Sequence, residues 1–105
     1  MPENWVRTIP VDHLTDRLGT TVLGRKVALF KVADGSIHAL DDVCSHEYAL
    51  LSQGEVWDEE VWCPKHGSHF NIRTGAVTGF PATEPVRSYP TKIEDGFIYV
   101  NMAGS

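Results

Sequence analysis

Residues 44–46 read Cys44-Ser45-His46, and residues 63–68 read Cys63-Pro64-Lys65-His66-Gly67-Ser68. Sixteen residues separate His46 from Cys63, and the chain has no cysteine outside the two stretches. Each stretch offers one thiolate and one imidazole, so two loops brought together present four soft ligands. The order Cys-His, Cys-His suits a centre with two chemically different irons, one taking both sulfurs and the other both nitrogens. Structural zinc also accepts two thiolates and two imidazoles in a tetrahedron. Zinc sites, however, usually pair Cys with Cys across about two to four residues, and His with His. One residue between Cys44 and His46 is tight for two ligands on a single ion. A third reading leaves the cysteines as small buried hydrophobes beside ordinary histidines.

Working outward, short β-rich runs alternate with Gly, Asp and Asn, and helical periodicity is nearly absent. Trp5 to Ile9 alternates, while Val11 to Leu18 is more polar and holds at most one helical turn, started at Asp12. Lys26 to Val32 and Ser36 to Leu40 are strands joined at Asp34-Gly35, where glycine supplies the positive φ of a tight turn. The second strand leads into Cys44. Glu55 to Trp57 and Val61-Trp62 form a meander that delivers Cys63. Phe70 to Ile72 and Ala76-Val77 flank a turn at Thr74-Gly75. Pro81 and Pro85 mark a loop without regular ladder bonds. Val86 to Ile93 and Phe97 to Val100 make a closing hairpin about Asp95-Gly96. This predicts an all-β chain: one domain over residues 1–105, a β base with an insertion near residues 42–82 that carries all four candidate ligands. Trp57 and Trp62 are expected in the core, His69 on a strand, and His13 and His38 on the surface of the base.

Size and charge exclude several functions. With 105 residues the chain makes one domain and has no room for a catalytic oxygenase domain. Only His13, His38 and His69 remain for a further iron site. No segment approaches the ~20 apolar residues of a membrane span, and the amino terminus has no export signal. Both point to a cytoplasmic protein, where two cysteines are more plausible as metal ligands than as a disulfide. Nine basic against fourteen acidic residues give a formal charge of −5, which disfavours nucleic acid. Glu55, Asp58, Glu59 and Glu60 sit between the ligand pairs, as a solvated turn or as a patch that steers a basic partner.

The ligand pattern, His66-Gly67-Ser68-His69-Phe70, the Thr74-Gly75 turn, the proline loop at Gly79 to Ala82 and the hairpin at Tyr89 to Val100 resemble the Rieske-type [2Fe–2S] ferredoxins. The resemblance covers most of the chain. It implies three antiparallel sheets, with the cluster at one tip between two ligand loops and the proline loop. Cys44 and Cys63 would hold the inner iron, and His46 and His66 the outer. Around them Ser68 would hydrogen-bond a cluster sulfur, Gly67 would leave backbone room, Lys65 would add a positive charge and Pro81 would shield the cluster. Two thiolates cancel the charge of two ferric ions and two sulfides, so reduction leaves about −1 on the core.

Departures from the respiratory members of the family narrow the function. Those carry an extra cysteine in each ligand loop, where Ala49 and Lys65 stand here, so no disulfide braces the loops. Phe70 stands where they have a tyrosine hydroxyl near the cluster. Fewer donors place the potential toward the lower part of the Rieske span of about −150 to +300 mV. The resemblance is then to the ferredoxin of a bacterial aromatic-ring-hydroxylating dioxygenase of the biphenyl, naphthalene or carbazole type. Such a ferredoxin is a one-electron carrier, not an enzyme. Its partners are a flavin-containing, NADH-oxidising reductase and a terminal oxygenase with its own Rieske centre, and it is expected to be a monomer. Glu47 and Tyr48 would lie on the docking tip. The alternatives are the small subunit of an assimilatory nitrite reductase and a zinc-stabilised interaction module.

Overall fold

The computed structural model describes residues 3–45, 48–65 and 67–103. Its strands are β1 (Trp5–Pro10), β2 (Arg17–Val22), β3 (Arg25–Lys31), β4 (Ile37–Asp41), β5 (Glu55–Trp57), β6 (Glu60–Trp62), β7 (His69–Asn71), β8 (Val77–Gly79), β9 (Ser88–Tyr89), β10 (Thr91–Glu94) and β11 (Phe97–Asn101). They pair as three antiparallel sheets, in the orders β1-β11-β10, β2-β3-β4-β9 and β5-β6-β7-β8. The expected all-β architecture of three antiparallel sheets is therefore present.

The middle sheet is the centre of the molecule because β3 is apolar on both faces. Val27, Ala28, Leu29 and Phe30 are all fully buried, and successive side chains point to opposite sides. Val27 and Leu29 join Ile37, Ala39, Tyr89, Ile98 and Val100 in one core, against the β1-β11-β10 sheet. Ala28 and Phe30 join Leu40, Leu51, Val61, Phe70, Ile72 and both cysteines in the other, against the β5–β8 sheet. Burying one Phe or Leu side chain contributes about 1.5–3 kcal/mol, so the seven residues of β3 tie the two cores together.

The β3–β4 hairpin turns at Asp34-Gly35 as expected. Gly35 has φ +86°, and the Asp34 carboxylate accepts from the backbone N–H of Ser36 at 2.9 Å. Arg73, in the turn after β7, lies across this hairpin tip. Its guanidinium donates to Glu59 at 2.9 and 2.7 Å and to Asp34 at 2.8 Å. These contacts hold Asp34 and Glu59 below the usual carboxylate range, Asp34 first through Ser36 and then Arg73, Glu59 first through Arg73. Burial, and then Arg73, lowers His38. One of the four acids in the predicted patch is thus committed to joining two sheets.

Four expectations are corrected. The single turn is a 3₁₀ turn at Val11–His13 entered from Pro10, and Asp12 lies inside it without a side-chain cap. Arg17–Val22, which carries little apolar signal, is a strand that pairs with β3. The run Val86 to Ile93 is two strands in two sheets, broken at Pro90, because proline has no N–H to donate to a ladder. Trp57 and Trp62 are not in the core: they are 59% and 37% exposed.

Candidate metal centre

Both cysteines are buried in the second core. Cys44 follows β4, Cys63 follows β6, and their exposures are 4% and 3%. No disulfide joins them, although both belong to one apolar cluster with Leu51, Val61, Phe70 and Ala82.

The backbone closes each loop on itself. In the first, the Cys44 N–H donates to the Ala49 carbonyl at 2.9 Å, and Val43 and Leu50 form an isolated bridge. Asp42 anchors this loop to the middle sheet. Its N–H donates to Lys26 O at 2.9 Å, and its carbonyl accepts from Leu51 at 2.7 Å. Its buried carboxylate accepts from the N–H and hydroxyl of Ser52 at 2.7 and 2.8 Å. In the second loop the Cys63 N–H donates to Ser68 O at 2.7 Å and the Gly67 N–H to Cys63 O at 3.2 Å. Gly67 has φ +77°, a conformation open to glycine at no steric cost. The two loops meet at Gly54, where a Cβ would stand 1.8 Å from the Trp62 carbonyl oxygen. Only a residue without a side chain allows that approach.

The proline loop attaches to both. Ser45 donates from its hydroxyl to the Glu84 carbonyl. Ser68, buried to 1% exposure, accepts the Ala82 N–H on Oγ at 2.9 Å. That bond uses an oxygen lone pair and leaves the Ser68 hydroxyl proton to donate elsewhere.

Of the expected ligands, Cys44 and Cys63 are brought together; His46 and His66, with Glu47, lie outside the described residues. Among the described residues no group of three His, Cys, Asp or Glu side chains converges. Lys65 and Pro81 are exposed, and Tyr48 is among the most exposed aromatics. Phe70, two residues after Ser68, is fully buried and as a phenylalanine brings no hydroxyl. His69 is on β7, stacked on Trp62 with ring centroids 4.4 Å apart. Sequence reasoning missed the Asp42–Ser52 brace and Ala82. An aspartate two residues before a candidate ligand was a signal for the first, whereas the second has none, since its contact is through the backbone. The donor chemistry fits a mixed-ligand iron–sulfur centre: two buried thiols in one apolar cluster, a buried hydroxyl beside them with its proton available, and a histidine in each loop sequence.

Comparison with known proteins agrees. Residues 4–90 match the model of the Rieske [2Fe-2S] domain. The chain is 33% identical over 105 residues to the ferredoxin component of the naphthalene 1,2-dioxygenase system of Pseudomonas aeruginosa, covering 98% of this chain and 100% of that protein. It is 45% identical over 94 residues to the anthranilate 1,2-dioxygenase ferredoxin subunit of Burkholderia cepacia, covering 88% and 86%. Among solved structures, the ferredoxin of carbazole 1,9a-dioxygenase from Nocardioides aromaticivorans IC177 superposes with a TM-score of 0.86 at 34% identity, over 91% of this chain and 95% of that one. A chain from a complex of oxygenase and ferredoxin in carbazole 1,9a-dioxygenase gives 0.88 at 26% identity, over 96% and 95%. A Mycobacterium tuberculosis protein described as an NADH-dependent nitrite reductase small subunit gives 0.88 at 28%, over the whole of both chains.

Proposed function

The chain belongs to the Rieske [2Fe-2S] domain family, and from that premise we propose that it is the ferredoxin of an aromatic-ring dioxygenase system, taking electrons from a flavin-containing, NADH-oxidising reductase and passing them to a terminal oxygenase. It carries one Rieske-type [2Fe–2S] cluster and is an electron-transfer component, not the catalyst. When bound, the cluster would supply one-electron redox chemistry toward the lower part of the Rieske span of about −150 to +300 mV. The reading rests above all on one observation: two buried thiols share one apolar cluster between two self-closed loops.

In this reading residues 1–105 form a single Rieske domain, with residues about 42–82 as its cluster-binding part, working as a monomer in the cytoplasm. Among the described residues, no helix is long and apolar enough to cross a membrane. Cys44, Cys63, His46 and His66 would hold the cluster. Ser68, whose Oγ accepts the Ala82 N–H and so ties the proline loop to the second loop, would have its hydroxyl proton free to donate to the cluster. Gly67 gives the second loop its turn, Pro64 stiffens it, and Lys65 and Pro81 lie at the rim. The buried core behind the cysteines would exclude water from the inner side of the cluster, which leaves the solvent side for electron exchange.

The test is the low-temperature EPR spectrum of the dithionite-reduced protein. A rhombic signal of mixed His/Cys ligation is expected, lost in His46→Ala and in His66→Ala. A silent spectrum with stoichiometric zinc, or an unchanged signal in either variant, overturns the ligand assignment. The nitrite reductase small subunit keeps a specific observation in its favour, the full-length superposition. It predicts stable association with a large reductase subunit, which a ferredoxin does not form.

A further inference from the structure

The outer face of the β5–β8 sheet carries a pattern that the core does not explain. Glu55 stands directly across from Trp62, and Trp57 across from Glu60. Residues paired across an antiparallel ladder point to the same side, so two indoles and two carboxylates alternate on one surface. His69, across from Trp62 on β7, extends it. The opposite face, with Val61 and Phe70 buried and Val56 packed against them, is in the core. Trp57 is 59% exposed and Trp62 37%. The Trp62 ring lies within 14° of parallel to His69, whose Nδ1 is 2.9 Å from the Thr78 hydroxyl and 3.5 Å from Glu60. The indole is therefore held in place before anything binds. Large aromatics left in water on a short, three-residue strand mark interaction surfaces more than packing.

We propose that this face is a docking surface for a redox-partner protein that presents arginine or lysine side chains, each cation lying on an indole and against the glutamate across from it. Cations are attracted to the face of an indole, most strongly where a carboxylate completes the pair. Of the four acids between residues 55 and 60, only Glu59 is engaged by an arginine, while Glu60 lies 3.5 Å from His69 Nδ1. Nucleic acid is repelled by the −5 chain, and a second copy would bring the same carboxylates against these. The surface also reaches the proposed centre. A cleft of about 340 Å³ beside the second ligand loop is lined by Glu55 and Trp62 together with Cys63, Pro64 and Gly67. A partner seated on the sheet face thus borders the cysteine loop, which suits electron transfer. The inference rests on the electron-carrier reading.

The experiment follows the oxidation of the reduced holoprotein by ferricytochrome c, a basic haem protein, in stopped flow. One electron leaves the reduced protein, and ferric haem becomes ferrous. Glu55→Gln/Glu60→Gln is compared with Asp12→Asn/Glu94→Gln, which removes the same charge from exposed sites on the base. At low ionic strength the first pair is expected to slow the reaction about tenfold and the control less than about twofold, the gap closing at high salt. Trp57→Thr is expected to slow it about threefold at either salt, because stacking is screened little. Ferricyanide, a small anion, should oxidise all variants at similar rates. Equal slowing by both pairs reduces the effect to net charge and overturns the proposal. So does concentration-dependent dimerisation of the wild type that Trp57→Thr abolishes, since a second copy would then own the face. A wild type that yields no reducible EPR signal fails the carrier reading instead.

Discussion

The middle sheet and the β5–β8 sheet are built from the same chain on opposite principles. In the middle sheet β3 has seven residues, pairs on both edges and buries side chains on both faces. In the β5–β8 sheet each strand has three residues, one face is in the core, and the other holds two tryptophans in water. Its inner face is completed by two cysteines rather than by larger apolar side chains. A sheet of such short strands has few ladder bonds, and it is held by what is attached to it: the middle sheet, through the shared core, and the Arg73 network.

The sharpest way to break that comparison is to remove a proposed cluster ligand. Cys63→Ser is expected to abolish the iron–sulfur spectrum and to leave residues near 44–68 unprotected in hydrogen exchange, while β3 and β4 stay protected. Uniform loss of protection would show that the two regions fold as one unit. Next in size is Gly54→Ala, which would put a Cβ 1.8 Å from the Trp62 carbonyl and force the ligand loops apart. A destabilisation of about 1–3 kcal/mol in urea titration is expected, as for other overpacked sites. A smaller effect is expected from Arg73→Met, which cuts the link between the two sheets at Glu59 and Asp34. Both carboxylates titrate lower in the folded protein than their ordinary values of 3.8 and 4.5. The folded state then binds fewer protons than the unfolded, so their contribution is full above those values, begins to fall there and is lost as pH drops on through the lower folded-state values. Thermal melts from pH 6 down to pH 3 should show a steeper fall in Tm for the wild type than for Arg73→Met. Parallel curves would mean the exposed network contributes nothing measurable.

What the sequence discloses follows the same division. The apolar run of β3, the Asp34-Gly35 turn and the closing hairpin about Asp95-Gly96 are legible because local pattern and burial agree. Of the Cys-Ser-His and Cys-Pro-Lys-His stretches, the two cysteines meet in one buried cluster, as their place in the sequence suggests. Reading fails where long-range placement decides. Arg17–Val22 lies at a sheet edge and keeps polar side chains, so its period is weak. Val86 to Ile93 has a strand composition throughout, yet Pro90 divides it between two sheets. Trp57 and Trp62 look like core residues by size. Only the pairing register, which puts Val61 inward, assigns their neighbours on the strand to the outside. Ser68 was legible as a hydroxyl near the cysteines, but its tie to Ala82 was not, because a backbone N–H has no sequence signature.

Ser68→Ala makes the finest cut, since it takes one oxygen from the seam between ligand loop and proline loop. The buried Ala82 N–H would lose its acceptor, and the hydroxyl proposed to favour the reduced centre would be gone. With Phe70 buried and offering no second hydroxyl, no neighbouring tyrosine compensates. A hydrogen bond worth about 1 kcal/mol corresponds to about 40 mV for a one-electron couple. The midpoint potential of Ser68→Ala is therefore expected about 40 mV below wild type, with the EPR signal retained. Ser68→Thr, which keeps the hydroxyl, should recover most of that difference. A variant with unchanged potential but a lowered Tm would leave Ser68 only its tie to Ala82. The influence of the proline loop on the electron would then run through geometry alone.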